Sequence, residues 1–312
     1  CGRRASRYET AFREAGNGRM HGDGAQDLEA ARRSTGAVQV DVVTGASNAE
    51  AIAAEWSDLA AHAVEPNAFY APSMLIPALE AFAGEKPELV VVRDASRRLV
   101  GLAPLAPLTG YSRLPVRYIA TWMHKHCYFA APLVRGGFER EVLGALFDYA
   151  EKRGAFLRLR HLDAGGPLFA AASRLAAETG RLAAPSARYA RAMINAPWTT
   201  EVYLKTSLNG KRRKEMRRLR ARLEEQGALR FEASGAGGDL TAWAEEFMTL
   251  ESEGWKGAGG TALRQEGASA RFFLDAVRRA GAAGEVQFFR LTLGGRLLAG
   301  GVNFRAGDVS YA

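Results

Sequence analysis

Two stretches almost two hundred residues apart follow one plan, and this recurrence limits the fold more than any other feature of the chain. In "PELVVVRDASRRLVGLAPLAP", residues 87–107, an apolar strand runs into a turn at 94–97 and a second strand returns from Leu99. In "GEVQFFRLTLGGRLLAGGVNF", residues 284–304, the turn becomes Gly294-Gly295, and "RLLAG" stands where "RLVGL" stood. The spacing is too long for a solenoid repeat, so it predicts two copies of one hairpin-centred domain. The expected class is therefore α/β of the α+β kind: tandem units, each a mixed, mostly antiparallel sheet flanked by helices.

The segments around the hairpins fit this plan. "VQVDVVTG", 38–45, alternates like a strand, and a helix is expected over 47–62 with Ile52, Trp56 and Leu59 on one side. After the first hairpin come strand-like "VRYIATWM", the segment "HKHCYFAAPLVRG", a helix near 138–153, the strand "AFLRLRHL", a further helix and a last strand "YARAMI". Residues 1–37, rich in Gly, Arg and Ala without sustained periodicity, read as a disordered tail. The expected domains are 38–197 and 198–312, the second ending before its plan is complete.

Charge bears on function through its placement. The net charge of +8 is concentrated in "SLNGKRRKEMRRLRARLEEQG", 207–227, where eight Lys or Arg face three Glu. Clustered cations of this kind suit nucleic acid, but a broad cationic arc lacks the polar side chains that read bases, so DNA is not expected. Met216, Leu219 and Leu223 share one stripe, which predicts a helix with one side on a core. Lys211, Arg212 and Arg213 crowd its N-terminal end, against the helix dipole, and form a candidate anion site; a solvated basic face is the other reading.

Two further groups carry candidate chemistry. In "LESEGWKGAGGTAL", Gly254 ends a helix and aims Trp255 and Lys256 into a glycine-rich loop, with Glu251 one turn back. Trp255 either lines a substrate cleft or lids its own helix. In "TWMHKHCYF", a strand would put His124 and His126 on one face with Cys127 on the other. The pair can contact substrate, pack as ordinary polar side chains, or bind a metal with help from His161 and Asp163; no metal is expected. Two cysteines, Cys1 and Cys127, fit a reducing compartment, and no run is long and apolar enough for a membrane span, so a cytoplasmic protein is expected.

Taken together, "SLNGKRRKEMRRLRARLEEQG", "RFE", "LESEGWKGAGGTAL" and "FFRLTLGGRLLAGG" resemble the CelD or BioF-like branch of the GNAT acetyltransferase superfamily, related to the Fem peptidyltransferases. The resemblance implies acyl transfer from acyl-CoA, as co-substrate, to an amine or hydroxyl, with a link to cellulose or exopolysaccharide biosynthesis. It offers two alternatives: a Fem-like transferase using aminoacyl-tRNA, or a non-catalytic module of a polysaccharide synthesis complex. Within it, Glu251 is the candidate base, Trp255 and Lys256 line the cleft, and Lys211, Arg212 and Arg213 meet an anionic donor or acceptor. The chain departs from the GNAT pattern in having no Q/R-x-x-G-x-G/A loop in its first copy, where "YFAAPLVRGGFER" stands instead.

Overall fold

The computed structural model describes residues 38–82, 84, 86–195, 198–234 and 239–312. The expected N-terminal tail lies outside them. Ala37–Ala312 forms one compact unit built on two sheets. The first contains β1 (Gln39–Thr44), β2 (Glu88–Arg93), β3 (Leu99–Tyr111), β4 (Leu114–Thr121), β5 (Leu133–Val134) and β6 (Leu157–Arg158). Its order is β1-β2-β3-β4-β6, with β5 paired to β3. All its pairs are antiparallel except β4 with β6.

Alternation along β2 and β3 explains how this sheet is buried on both faces. Leu89, Val91, Leu99, Leu102 and Ala106 join one apolar cluster, whereas Val90, Val92, Val100, Ala103 and Leu105 join another. The second cluster is closed by Val142, Leu146 and Tyr149 of α4 (Glu139–Glu151) and Leu168 of α5 (Pro167–Glu178). Residues of α1 (Ala46–Ala51), α2 (Ala53–Ala61) and α3 (Pro72–Ala81) cover the other face. Helix α3 is buried from Pro72 to Leu79, which accounts for its lack of a polar side. Two hydrogen bonds tie this layer together: Trp56 Nε1 donates to Tyr70 O at 2.9 Å, and Tyr70 Oη to Trp122 O at 2.7 Å.

The second sheet is wholly antiparallel, in the order β10-β9-β8-β7, from β7 (Leu229–Ala233), β8 (Val286–Leu293), β9 (Arg296–Ala306) and β10 (Val309–Tyr311). Gly294 and Gly295, with φ of 55° and 86°, make the tight turn that the hairpin pattern requires. The helices of this half are α6 (Thr200–Ser207), α7 (Gly210–Glu224), which carries the basic segment, and, between β7 and β8, α8 (Leu240–Glu253), α9 (Trp255–Ala258) and α10 (Gly267–Ala282). The cluster on the first sheet's α3 face continues through α10 to Phe288 and Phe304 of the second sheet. One core therefore serves both sheets. Among the described residues no helix is long and apolar enough to cross a membrane.

The architecture is the mixed α/β class read from the sequence, with antiparallel-dominated sheets and flanking helices, but five local readings are corrected. The helix over 47–62 is two helices that break at Ile52. The strand in "AFLRLRHL" shrinks to Leu157–Arg158, and "YARAMI" forms no strand: Tyr189, Met193 and Ile194 are exposed. The segment 122–132 is irregular, with a turn bond from Cys127 N to His124 O, so the strand on which His124 and His126 would share one face does not form. The apolar stripe of α7 does not reach a core, since Met216 and Leu219 are 49% and 47% exposed. A three-residue stripe gives too little burial to seat a helix whose other positions are mostly charged.

Gly101 in β3 sets how closely α4 can approach. A Cβ there would fall 2.4 Å from Val142 Cγ1, inside the packed second cluster. Gly101→Ala is expected to lower stability by about 1–3 kcal/mol through overpacking, measured by urea unfolding. An unchanged midpoint would contradict this close packing.

Candidate functional site

Helix α8 begins with Asp239, whose side chain accepts from Ala242 N, and ends at Gly254. Its last turn carries Glu251, whose side chain is only 7% exposed. Glu251 Oε1 accepts from Lys256 Nζ at 2.6 Å, and Oε2 accepts from Leu263 N at 2.7 Å. One carboxylate thus ties α9 and the following loop back to α8. Gly257 lets the chain turn that tightly, because a Cβ there would sit 1.7 Å from Ser252 O. Trp255 is 79% exposed, with Lys256 Nζ 6.0 Å from its ring centre.

The irregular segment after β4, although not a strand, packs both histidines against Phe272 of α10. The His124 and His126 rings lie 6.2 Å apart. His124 stacks on Phe82 at 5.0 Å and meets Phe272 of α10 edge-on at 4.9 Å. It is buried, and among the described residues neither ring nitrogen has a hydrogen-bond partner. Burial, and then the neighbouring His126, push its pKa down to about 3. The ring is therefore neutral at ordinary pH.

His126 stacks on Phe272 at 5.6 Å, and its Nε2 lies 2.9 Å from Ser269 Oγ. Ser269 Oγ in turn donates to Glu266 Oε2 at 2.9 Å, and Glu266 is ion-paired with Lys125. The direction of this chain follows from chemistry. An ionised carboxylate only accepts, so Ser269 spends its proton on Glu266 and must accept from Nε2–H of His126. The other nitrogen, Nδ1, is left as a lone pair without a hydrogen-bond partner among the described residues. Burial and the Lys125 charge lower the pKa of His126 to about 4; Glu251 opposes this and Lys256 adds to it.

Glu251 and Lys256 lie within electrostatic reach of His126, so the structure relates candidates that the sequence presented as separate. It adds Phe82, Lys125, Glu266, Ser269 and Phe272. Ser269 and Glu266 could have been suspected only from their place at the start of an amphipathic helix, a signal common to helix caps. Lys211, Arg212 and Arg213 stand apart: no hydrogen bond or ion pair among the described residues connects them to this group. Asn209 caps α7 by accepting from Arg212 N at 2.8 Å. Arg213 donates to Lys205 O and Leu208 O and so closes the end of α6. Among the described residues no cluster of His, Cys, Asp and Glu is arranged to hold a metal.

Keeping His124 neutral in the folded state has a consequence for stability. Below the ordinary imidazole pKa of 6.5 the unfolded chain takes up a proton that folded His124 refuses until about pH 3. Stability should fall as pH drops through that interval, with a contribution of a few kcal/mol from this group. His124→Phe, which keeps the aromatic packing, is expected to flatten the acid side of the stability curve measured by urea unfolding from pH 7 to 4. A curve of unchanged slope would contradict the neutral, buried imidazole.

Residues 210–312 match the family model described as acetyltransferase (GNAT) domain. No curated protein matches the chain. Among solved structures, it aligns with a GCN5-related glucosamine N-acetyltransferase region of a fungal multi-domain GH3 β-N-acetylglucosaminidase, at 10% identity and a TM-score of 0.30. That alignment covers 86% of this chain and 28% of the other, so this chain spans little more than a quarter of that protein. The family match supports the GNAT superfamily for the C-terminal third of the chain, which contains Glu251, Trp255, Lys256, Glu266 and Ser269.

Proposed function

We propose that this chain transfers an acyl group from acyl-CoA to an amine or hydroxyl, at the junction of the 122–129 segment with the end of α8 and the start of α10. The family match over residues 210–312 carries this reading, because the matched stretch supplies most of the assembled polar group. In this reading 38–197 and 198–312 are two GNAT-like domains, the first acting mainly as scaffold. The placement in the CelD or BioF-like branch, and with it the link to cellulose or exopolysaccharide biosynthesis, rests on the sequence resemblance alone.

An acyl-CoA donor would supply the activated thioester. The chain's own residues then have to orient the acceptor and remove its proton. His126 suits the second task because Nδ1 carries the lone pair while Ser269 and Glu266 hold Nε2–H in place. Glu251, the candidate base from sequence, has both oxygens engaged by Lys256 and Leu263 N. We assign it to anchoring the Trp255–Lys256 edge of the site. Trp255 and Lys256 present an exposed aromatic face and a cation to the acceptor. Lys211 and Arg212 are assigned to the donor's phosphates, whereas Arg213 is occupied at the α6–α7 junction.

Acceptor-dependent release of free CoA from acetyl-CoA, across a panel of amines and alcohols, tests the reading. His126→Gln is expected to lower kcat about 100-fold or more, within the usual range for losing a general base. With the His126 pKa near 4, wild-type kcat should rise with pH through about 4 and be level by pH 6 on its acid limb. No acceptor-dependent release by the wild type, or full activity in the variant, would contradict the proposal.

A further inference from the structure

Helices α6 and α7 bury none of their residues, and in α7 this leaves an apolar stripe uncovered among the described residues. Met216, Leu219 and Leu223 follow the steps of three and four residues that bring side chains to one side of a helix. Met216 and Leu219 are each about half exposed, and Leu223 is partly so. Trp198, just before α6, and Val202 within it are exposed as well.

The same steps set cations beside the stripe. Arg220 lies four positions after Met216 and three before Leu223, and Arg222 lies three after Leu219, so the two arginines border the stripe on its two sides. Along Gly210–Glu224 eight Lys or Arg stand against only Glu215 and Glu224. Those two acids pair with Arg218 and Arg220, so Lys214, Arg217 and Arg222 enter no ion pair among the described residues. Exposed pairs of this kind contribute little and exchange readily for another anion.

A partner for this surface has to receive apolar side chains and neutralise many positive charges together. Nucleic acid does the second but has no use for Met216 and Leu219. A second copy of the chain would cover the stripe, but a two-fold contact would set α7 against its own like charges. An anionic lipid surface does both. A helix lying flat in it buries a narrow apolar side at the acyl boundary, and the long arginine stems beside that side carry their charged ends out to the headgroups. Neither a three-residue stripe nor screened charge holds a helix well alone, whereas at such a surface the two act on the same helix.

We infer that α7 is a docking helix for an anionic membrane surface, with Met216, Leu219 and Leu223 seated at the acyl boundary and Arg220 and Arg222 on the lipid headgroups. Lys214 and Arg217 add attraction from the outward side of the helix. The attachment is peripheral: α7 lies on the membrane and does not cross it. Lys211 and Arg212, assigned above to the donor's phosphates, are not needed for it, and the inference does not depend on acyl transfer.

Sedimentation of the full chain with vesicles of phosphatidylcholine, and of equal parts phosphatidylcholine and phosphatidylglycerol, tests it. The chain is expected to bind the mixed vesicles at least about tenfold more tightly than the neutral ones, and less so as salt rises. Met216→Ser/Leu219→Ser should keep the melting temperature, because both side chains are exposed, and weaken binding to the mixed vesicles about tenfold. Arg220→Gln/Arg222→Gln should weaken it to a similar extent. No binding to the mixed vesicles, wild-type binding in either double variant, or a lowered melting temperature in the serine variant, which would mean that the protein itself covers the stripe, would overturn the inference. So would an RNA oligonucleotide that binds more tightly than the mixed vesicles and equally well in the serine variant.

Discussion

Phe272, Phe273, Ala276, Val277 and Ala280 of α10 bury in one cluster with Leu75, Ile76 and Leu79 of α3, and the rest of the molecule is arranged around that seam. It joins helices far apart in sequence and carries the core from the first sheet to the second. Each large apolar side chain buried there contributes about 1.5–3 kcal/mol, so the seam outweighs any polar contact across it. The polar contacts set the register: Ser73 Oγ donates to Glu285 Oε2 at 2.6 Å, Arg279 pairs with Glu50, and Tyr311 Oη donates to Pro66 O.

The histidine group follows directly from this packing. Phe272 is a core residue of α10 and at the same time the surface on which His126 stacks, and Ser269 lies one turn earlier on the same helix. Docking α10 therefore fixes the imidazole plane and the proton on Nε2 in one step. The burial that fixes the ring also strips it of water, which explains why both imidazoles stay neutral well below their ordinary range. A neutral, oriented imidazole is available to accept a proton at physiological pH without first losing one.

The sequence was most informative where pattern and structure share a period. The hairpin strands of 88–106, the Gly294-Gly295 turn and the stop at Gly254 are all present as read. It misled where a pattern lacked enough burial to decide. The Met216–Leu219–Leu223 stripe is helical but leaves Met216 and Leu219 exposed, and the alternation in "YARAMI" has no neighbouring strand to pair with. The site was legible only as fragments. Glu251, Trp255 and Lys256 announce themselves by spacing around a helix stop, and His124 and His126 by proximity. Their meeting depends on the α3–α10 seam, a contact between residues almost two hundred positions apart that no local period encodes.

The central claim is that Glu266 and Ser269 preset His126 with its proton on Nε2 and its lone pair on Nδ1. Nitrogen NMR of the histidine rings in the full chain tests it most directly. The account predicts a neutral His126 at pH 6, with Nε2 protonated and Nδ1 resonating as an unprotonated nitrogen, and loss of that tautomeric preference in Ser269→Ala. A proton on Nδ1, or an imidazolium at pH 6, would contradict it.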